Sequence, residues 1–324
     1  MAAFRDRPSG PQDVPQQLQP DQQAHPDRLE EARPWSRADL RQRLERLPPS
    51  HPSSLRGADH QPDLPREAEP DRVERSLSSE VPRFKHAWTD HLRRWPDNRK
   101  TTKVDRSGDP DGSWRGEGDQ YLNPDQHAQT EDVIAGVQQA EGKLTNDMKA
   151  AEQENTCGGW LAGLEHRLKG EERLKQKIAE KIEHEPGKTP ARAIQQISDA
   201  IRYTFCFEPA GYSDGYRDVV GRLSALGCRM IYSKNHWRDD MEYKGINTRW
   251  VTPEGQRYEV QFHTEESFHA KQQITHTAYE RLRNPLTHDD ERQELRAFQR
   301  EVCSWIATPD GVAAIEDYRR EGRR

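Results

Sequence analysis

The most regular alternation of apolar and polar positions in the chain lies in the eight residues 257–264. Tyr258, Val260 and Phe262 alternate with charged and polar residues, which is the period of two expected of a strand with one packed face. Thr264 can then cap a helix with an acidic first turn. The other face of the strand displays Glu259, Gln261 and His263. An ordinary sheet could turn such a face to water, so this strand alone does not distinguish a surface from a functional site.

The remaining periodicity predicts an α/β (α+β) domain with one mixed sheet flanked by helices. Glycines and prolines set most of the predicted boundaries, and the turn at 253–256 joins two strands as a hairpin. The predicted helices are 125–155, 171–185, 190–198, 213–226 (capped by Ser213 or Asp214), 265–283, 288–306 and 310–320. The predicted strands are 160–168, 201–207, 229–233, 245–252 and 257–263.

The first 122 residues have a different composition from the rest. Sixteen of the 22 prolines precede residue 125, and Gln, Asp and Arg crowd the same region. Such a segment buries too little apolar surface to fold by itself, so we expect residues 1–122 to be a largely disordered or linker region. Apolar spacing predicts short helices within it at 35–47 and 82–96. Residues 124–324 form the predicted folded domain.

Charge and cysteine usage exclude several classes of protein. The chain is 31% hydrophobic and 33% charged, with a net charge of -6, which argues against a general nucleic-acid binder but not against a local basic pocket. The four cysteines have no paired short spacing, so neither zinc nor a disulfide framework is indicated. No apolar run reaches membrane-spanning length, and the first residues lack the apolar core of a secretory signal. We expect a cytoplasmic protein, or one exported into a target cell by another route.

Three upstream segments could share a site with Glu259. Four cations around a predicted strand end and helix start could converge on a triphosphate, although a solvated helix face explains them as well: Arg167, Lys169, Arg173 and Lys177. Asp199 precedes Arg202 at a helix–strand junction, and Asp199 and Glu259 on neighbouring strands could hold Mg²⁺. Tyr243 leads into a strand as an exposed aromatic that could stack a purine.

Together these segments resemble the synthetase domain of the RelA/SpoT family, the alarmone synthetases that make (p)ppGpp. That family has an Arg-x-Lys segment followed by a helix with Lys, an Asp before an Arg on a strand, a Gly-Tyr-x-Ser-x-His loop and a Glu-x-Gln-x-Arg-Thr strand. Here the corresponding segments occur in the same order, across about residues 130–285: Arg167-Leu168-Lys169, Asp199 to Arg202, Tyr243 to Asn247, and Glu259 to Thr264.

The departures from the family pattern lie where an acceptor nucleotide would sit. Gly245 stands where the family has Ser, Asn247 where it has His, and His263 where it has Arg. In these features the chain looks more like the divergent members found as toxins and secreted effectors. A His…His-Asp phosphohydrolase signature is absent from the sequence, so the resemblance implies synthesis without hydrolysis.

The resemblance implies a nucleotidyltransferase-like synthetase fold and a nucleotide 3′-pyrophosphokinase that uses ATP and Mg²⁺. ATP would lie on Arg167, Lys169, Arg173, Lys177 and Arg202, with Asp199 and Glu259 on the metal. Tyr243 would stack the base of a purine acceptor, with its phosphates near Lys234, Asn247, Gln261 and His263. Glu259 would also take the proton of the attacking hydroxyl.

Two other functions stay open from the sequence. One is transfer to the 3′ end of tRNA, and the other is a catalytically inactive nucleotide-binding regulatory domain, although retention of both Asp199 and Glu259 argues against inactivity. A toxin role would imply an antitoxin or immunity partner, and the family's small members often form homo-oligomers.

Overall fold

The computed structural model describes residues 76–96, 111–116, 120–238, 240–284 and 286–320. The helix predicted at 35–47 lies outside the described residues, as does most of the predicted linker. The boundary between residues 122 and 124 therefore stays a prediction.

The helices predicted at 125–155, 171–185, 213–226 and 288–306 begin and end within two residues of those positions. The long helix starts at a capping box, in which the Asn123 side chain accepts from the Gln126 N–H and the Gln126 side chain accepts from the Asn123 N–H. In chain order the helices are α1 Leu77–Arg94, α2 Pro124–Glu154, α3 Glu171–His184, α4 Pro190–Ile194, α5 Tyr212–Ala225, α6 Glu265–His269, α7 His276–Arg283 and α8 Asp289–Ser304. A π-helical turn, Ala270–Thr275, joins α6 to α7.

A six-stranded mixed sheet forms the centre of the molecule. Its strand order is β3-β4-β7-β6-β5-β8, in which only the β4–β7 pair is parallel. The strands of this sheet are β3 Trp160–Leu161, β4 Arg202–Phe207, β5 Arg229–Asn235, β6 Ile246–Val251, β7 Arg257–Thr264 and β8 Tyr318–Arg319. A separate two-stranded hairpin pairs β1 Trp114–Arg115 with β2 Tyr121–Leu122. The predicted mixed sheet flanked by helices is confirmed.

One face of the sheet is apolar and buried. On β7, Tyr258, Val260 and Phe262 are fully buried, as the alternation predicted. Phe262 stacks with Phe205 on β4 at a centroid distance of 6.2 Å. Helices α2 and α5 cover this face, and the hydroxyl of Tyr203 lies 2.8 Å from that of Thr145 on α2. The buried face fixes the register of the strands, because a slip of one residue would bring the polar face inward.

The elements predicted at 160–168, 190–198 and 310–320 differ most from the structure. The strand predicted at 160–168 ends at Leu161, because Gly163 adopts a left-handed conformation with φ of 63°. The helix predicted at 190–198 ends at Ile194. The helix predicted at 310–320 is absent: Gly311 is also left-handed, with φ of 68°, and the chain continues as a 3₁₀ turn and edge strand β8.

The predicted cap of α5 is also wrong. The helix begins at Tyr212, and the hydroxyl of Ser213 donates to the backbone carbonyl of Asp310 at 2.6 Å instead of capping the helix. None of the described helices is long and apolar enough to cross a membrane.

Candidate active site

The strand register places a row of polar side chains on the second face of the sheet. Arg202 on β4 is the cross-strand partner of Glu259 on β7, and Arg249 on β6 is the partner of Glu259 on the other side. One step along, Gln261 lies between Thr204 and Asn247. Since registered neighbours point to the same side of a sheet, three adjacent strands contribute to one polar surface.

Glu259 lies at the centre of this surface without a cation close enough for an ion pair among the described residues. Its carboxylate accepts a hydrogen bond from the side-chain amide of Gln261. The side-chain carbonyl oxygen of Gln261, Oε1, in turn accepts a hydrogen bond from the ammonium of Lys271 at 2.6 Å. Glu259 is therefore held by a hydrogen-bonded amide and retains acceptor capacity for a metal ion or a proton.

Asp199 lies at the edge of the same surface, two residues before Ile201, whose carbonyl accepts from the Glu259 N–H at 2.9 Å. Two lysines converge on its carboxylate. Lys177 on α3 lies 2.8 and 2.7 Å from the two oxygens, and Lys169 lies 3.3 Å from one of them. Although burial raises the pKa of Asp199, the two ammonium groups outweigh it and hold the pKa at about 2. The carboxylate is thus ionised at neutral pH.

Lys169 and Lys177 meet at Asp199, but the other two predicted triphosphate ligands do not join them. Arg167 pairs with Glu141 on α2 and donates to the Leu164 carbonyl at 2.9 Å. Arg173 is exposed, donates to Gln176 at 3.0 Å and lies 3.6 Å from Glu280. The structure therefore brings together only two of the four cations, because carboxylates and an amide hold Arg167 and Arg173, and the binding of a triphosphate by all four stays a prediction.

Tyr243 is half-buried, not exposed as predicted. Its hydroxyl donates to Asn247 Oδ1 at 2.8 Å and lies 2.8 Å from His263 Nε2. Its ring lies edge-on to those of His236 and His263, at interplanar angles of 85° and 89°. Burial raises the pKa of Tyr243 well above its ordinary value, so the hydroxyl remains protonated. This hydroxyl points into the protein.

His263 is fully buried, so the expectation that it is displayed beside Glu259 is wrong. Its Nδ1 lies 2.8 Å from the hydroxyl of Ser267, and its Nε2 lies 2.8 Å from the Tyr243 hydroxyl. Burial, with help from the charge of Lys271, holds the pKa of His263 well below its ordinary value. Both ring nitrogens already have partners, so His263 positions Tyr243 and does not face a ligand.

Lys234 is the cross-strand partner of Asn247 and therefore lies on the polar surface. Its side chain makes no hydrogen bond or ion pair within the part of the chain that the structure describes. Burial, followed by the charge of Lys234, lowers the pKa of the neighbouring His236 to about 4. Lys234 and Asn247 thus lie at the β5–β6 side of the surface, and their contact with an acceptor stays a prediction.

Lys271 is a residue of this surface that sequence reasoning missed. The sequence predicts an unbroken helix over 265–283, and a lysine within such a helix is ordinarily solvated. The π-helical turn Ala270–Thr275 instead places its ammonium against Gln261. The apolar spacing of the helix contains no signal for this turn.

The donor set fits a magnesium ion that takes most of its ligands from a substrate. Among the described residues, no group of three or more His, Cys, Asp or Glu side chains comes together. Mg²⁺ is usually held by one or two carboxylates together with phosphate oxygens and water, and the side chains of Asp199 and Glu259 would supply this minimal set.

Comparison with known proteins gives structural likenesses alone. No protein-family model matches the chain, and no curated protein matches it. A GTP pyrophosphokinase family protein from Streptococcus pneumoniae is 18% identical with a TM-score of 0.39, over 54% of this chain and 87% of that chain. The Type VI effector Tas1, solved with its immunity protein, is 21% identical with a TM-score of 0.38, over 55% of this chain and 97% of that chain.

A third similar structure is the small alarmone synthetase 1 from Bacillus subtilis bound to its product pppGpp. It is 16% identical with a TM-score of 0.37, over 55% of this chain and 92% of that chain. Since all three TM-scores lie below 0.5, the activities of these proteins are not carried over to this chain on structural likeness.

Proposed function

We propose that this protein transfers the pyrophosphate group of ATP to the 3′-hydroxyl of a purine nucleotide. The observation that supports the proposal is the polar sheet surface, on which Arg202 adjoins Glu259 and the Asp199–lysine cluster lies at the edge. Two carboxylates and several cations on one surface suit a reaction whose catalysis is mainly positioning and charge stabilisation.

The triphosphate of ATP would lie on Lys169, Lys177 and Arg202. The two lysines now neutralise Asp199, and an incoming magnesium–phosphate complex would exchange these contacts for metal–carboxylate and lysine–phosphate contacts. Arg167 and Arg173 could join the triphosphate only by leaving Glu141 and Glu280. Magnesium bound by Asp199 and Glu259 would supply neutralisation of the phosphate charge.

The proposed transfer needs no reactant besides ATP and the acceptor. The 3′-oxygen of the acceptor forms a bond to the β-phosphorus, and the bond from that phosphorus to the oxygen bridging the α-phosphate breaks. AMP leaves with that oxygen, and the acceptor gains the β- and γ-phosphates. Glu259 is our candidate for the base that takes the hydroxyl proton, because no cation pairs with its carboxylate among the described residues.

The acceptor would lie over the β5–β6 side of the surface. Tyr243 offers a ring that its hydroxyl partners hold in one orientation, and a base could pack on it. Asn247, Gln261 and Lys234 lie near enough along the register to contact acceptor phosphates or sugar.

We also propose that the activity inhibits growth of the cell that contains it. The Pro- and Gln-rich residues 1–122, unlike the catalytic part in composition, motivate a toxin or effector joined to a delivery segment. An immunity or antitoxin protein would then protect the producing cell. Expression of the wild-type chain and of Glu259→Ala in the same bacterium tests this, with arrest expected for the wild type alone.

A transfer assay tests the proposed reaction. Purified protein receives Mg²⁺ and ATP labelled at the γ-phosphate, with guanine nucleotides, adenine nucleotides or tRNA as separate acceptors. We expect label to move to a purine nucleotide and Glu259→Ala to lower the rate at least about 100-fold with an unchanged melting temperature. Transfer of label to tRNA alone would mean that the acceptor is tRNA and not a free purine nucleotide. No transfer to any acceptor by the folded wild type would overturn the proposal.

A further inference from the structure

Among the cations of the polar surface that have no carboxylate partner, Arg202 and Lys271 lie near each other, close enough for the charge of Arg202 to lower the pKa of Lys271. Lys169 and Lys177 are paired with Asp199, and Arg167 is paired with Glu141. Within the described residues, neither the guanidinium of Arg202 nor the ammonium of Lys271 has a carboxylate within ion-pair distance. No carboxylate of the described residues therefore neutralises either of these two groups by direct contact.

The ammonium of Lys271, a half-buried side chain, also has few hydrogen-bond acceptors. It can donate three hydrogen bonds, and the only acceptor found for it among the described residues is Gln261 Oε1 at 2.6 Å. Burial, and then the nearby charge of Arg202, lowers the pKa of Lys271 to about 7, while Glu259 partly offsets this. Burying a cation in this way is costly unless an anion accompanies it.

A break in the regular α-helix places Lys271 at this position. The π-helical turn Ala270–Thr275 interrupts the helix, and such turns are frequent at functional sites. Gln261, which holds the ammonium, is the neighbour of Thr204 on the strand that carries Arg202. The lysine therefore contacts the polar face of the sheet on the side where Arg202 and Glu259 are adjacent.

We propose that Arg202 and Lys271 together bind one phosphate group of a substrate, beside Glu259 on the polar sheet surface. Gln261 is the positioning residue that holds Lys271. Two cations with unused donors match the charge and acceptor oxygens of a phosphate. The identity of the phosphate, in the donor or in the acceptor, rests on the function proposed above, but the binding of a phosphate to this pair does not.

A pair of lysine-to-methionine variants tests the inference. Lys175 is the matched control, because it is the least exposed lysine of the described residues but has carboxylate partners, Glu171 at 2.9 Å and Glu131 at 3.3 Å. Calorimetric titration of the full chain with inorganic pyrophosphate would measure affinity, and thermal unfolding without ligand would measure stability.

The two variants should show opposite behaviour. We expect Lys271→Met to weaken pyrophosphate binding by about 10- to 100-fold, the loss of one charge-assisted hydrogen bond, while its melting temperature stays equal to or above that of the wild type. Lys175→Met should keep wild-type affinity and melt at a lower temperature. Lys271→Gln, which keeps a polar group near Gln261, should bind as weakly as Lys271→Met.

Further titrations locate the phosphate. If Lys271→Met weakens binding of ATP but not of a purine nucleoside diphosphate, the phosphate belongs to the donor, and the reverse result assigns it to the acceptor. Unchanged pyrophosphate affinity in both Lys271 variants would overturn the inference, as would absence of binding of all these probes to the wild type. Lys271-dependent binding without any transfer activity would leave the inference intact and refute the proposed reaction instead.

Discussion

At the scale of single residues, three departures from the RelA/SpoT pattern meet at one hydroxyl group. The Tyr243 hydroxyl contacts Asn247 and His263. At Gly245 an added Cβ would lie 3.0 Å from this hydroxyl and 2.9 Å from the Phe262 carbonyl, so the position has no room for a serine. Gly245, Asn247 and His263, the three departures from the pattern, therefore all surround the Tyr243 hydroxyl and together fix the orientation of the tyrosine ring.

This unit predicts different outcomes for two substitutions of Tyr243. Tyr243→Phe keeps the ring but leaves buried partners of the hydroxyl without a bond, so we expect it to lower the free energy of unfolding by about 1–3 kcal/mol. Its KM for the acceptor should change less than about threefold, because the ring face remains. Tyr243→Ala removes the ring and should raise the acceptor KM at least about tenfold. Urea unfolding and acceptor titrations measure both effects.

One result would contradict the assignment of the Tyr243 ring, and not its hydroxyl, to the acceptor. If Tyr243→Phe raised the acceptor KM as much as Tyr243→Ala, the hydroxyl and not the ring would contact the acceptor. The inward orientation of the hydroxyl in this structure would then not represent the bound form.

The face of the sheet on which a site residue lies could be predicted from the sequence where strand alternation alone decides it. Glu259 lies on the polar face because Val260 and Phe262 must be buried. The same rule failed for His263, because the capping box between Thr264 and Ser267 folds the next helix over the end of β7 and encloses the imidazole. Burial on the second face depends on tertiary contacts that alternation does not encode.

At the scale of elements, helix α1 packs on α8, which is about 200 positions away in the sequence. The Phe84 ring is buried and lies edge-to-face with Phe298 at 6.0 Å. Arg281 donates to the Trp95 carbonyl at 2.6 Å and also pairs with Glu291 on α8. This helix had been predicted from 82 to 96, and the structure extends it back to Leu77.

The docking of α1 predicts that Phe84→Ala lowers the free energy of unfolding by about 3–5 kcal/mol, the usual result of truncating a buried phenylalanine. Leu92→Ala on the same helix is the control, because Leu92 is 38% exposed, and it should cost less than about 1 kcal/mol. Chemical denaturation of the two variants measures the difference. Equal small losses would mean that α1 contributes little to the folded domain.

The sheet could be largely predicted from the sequence, while the C-terminal segment could not. Strands β4 and β7 are marked by β-branched and aromatic residues, and Gly255 allows the turn between β6 and β7. The residues 310–320 have helical apolar spacing at Val312 and Ile315, but both side chains pack into the core from a 3₁₀ turn and the residue after it. Short terminal segments follow the surface on which they dock, and that surface is formed by distant residues.

At the scale of the whole molecule, three buried or partly buried histidines of the described residues have lowered pKa values. Burial is the main cause at each, and the further causes are Lys234 at His236, Lys271 and Arg202 at His263, and Lys85 at His269. The unfolded chain therefore takes up protons near pH 6.5 that the folded chain does not accept. By linkage, this contribution to stability is fully present above about pH 6.5 and is lost as the pH falls through the folded pKa values.

We therefore expect the free energy of unfolding to decrease between pH 7 and pH 5, well above the range in which Asp199 would lose its charge. Since the pKa of His236 is about 4, this residue alone should account for about 2 kcal/mol of the decrease. Urea denaturation at pH 7, 6 and 5 measures the slope, and His236→Gln should flatten it by that amount because glutamine does not titrate. A wild-type slope that His236→Gln leaves unchanged would show that the imidazole is accessible to protons in the folded state, and that the β5–β6 side of the polar surface is open to water.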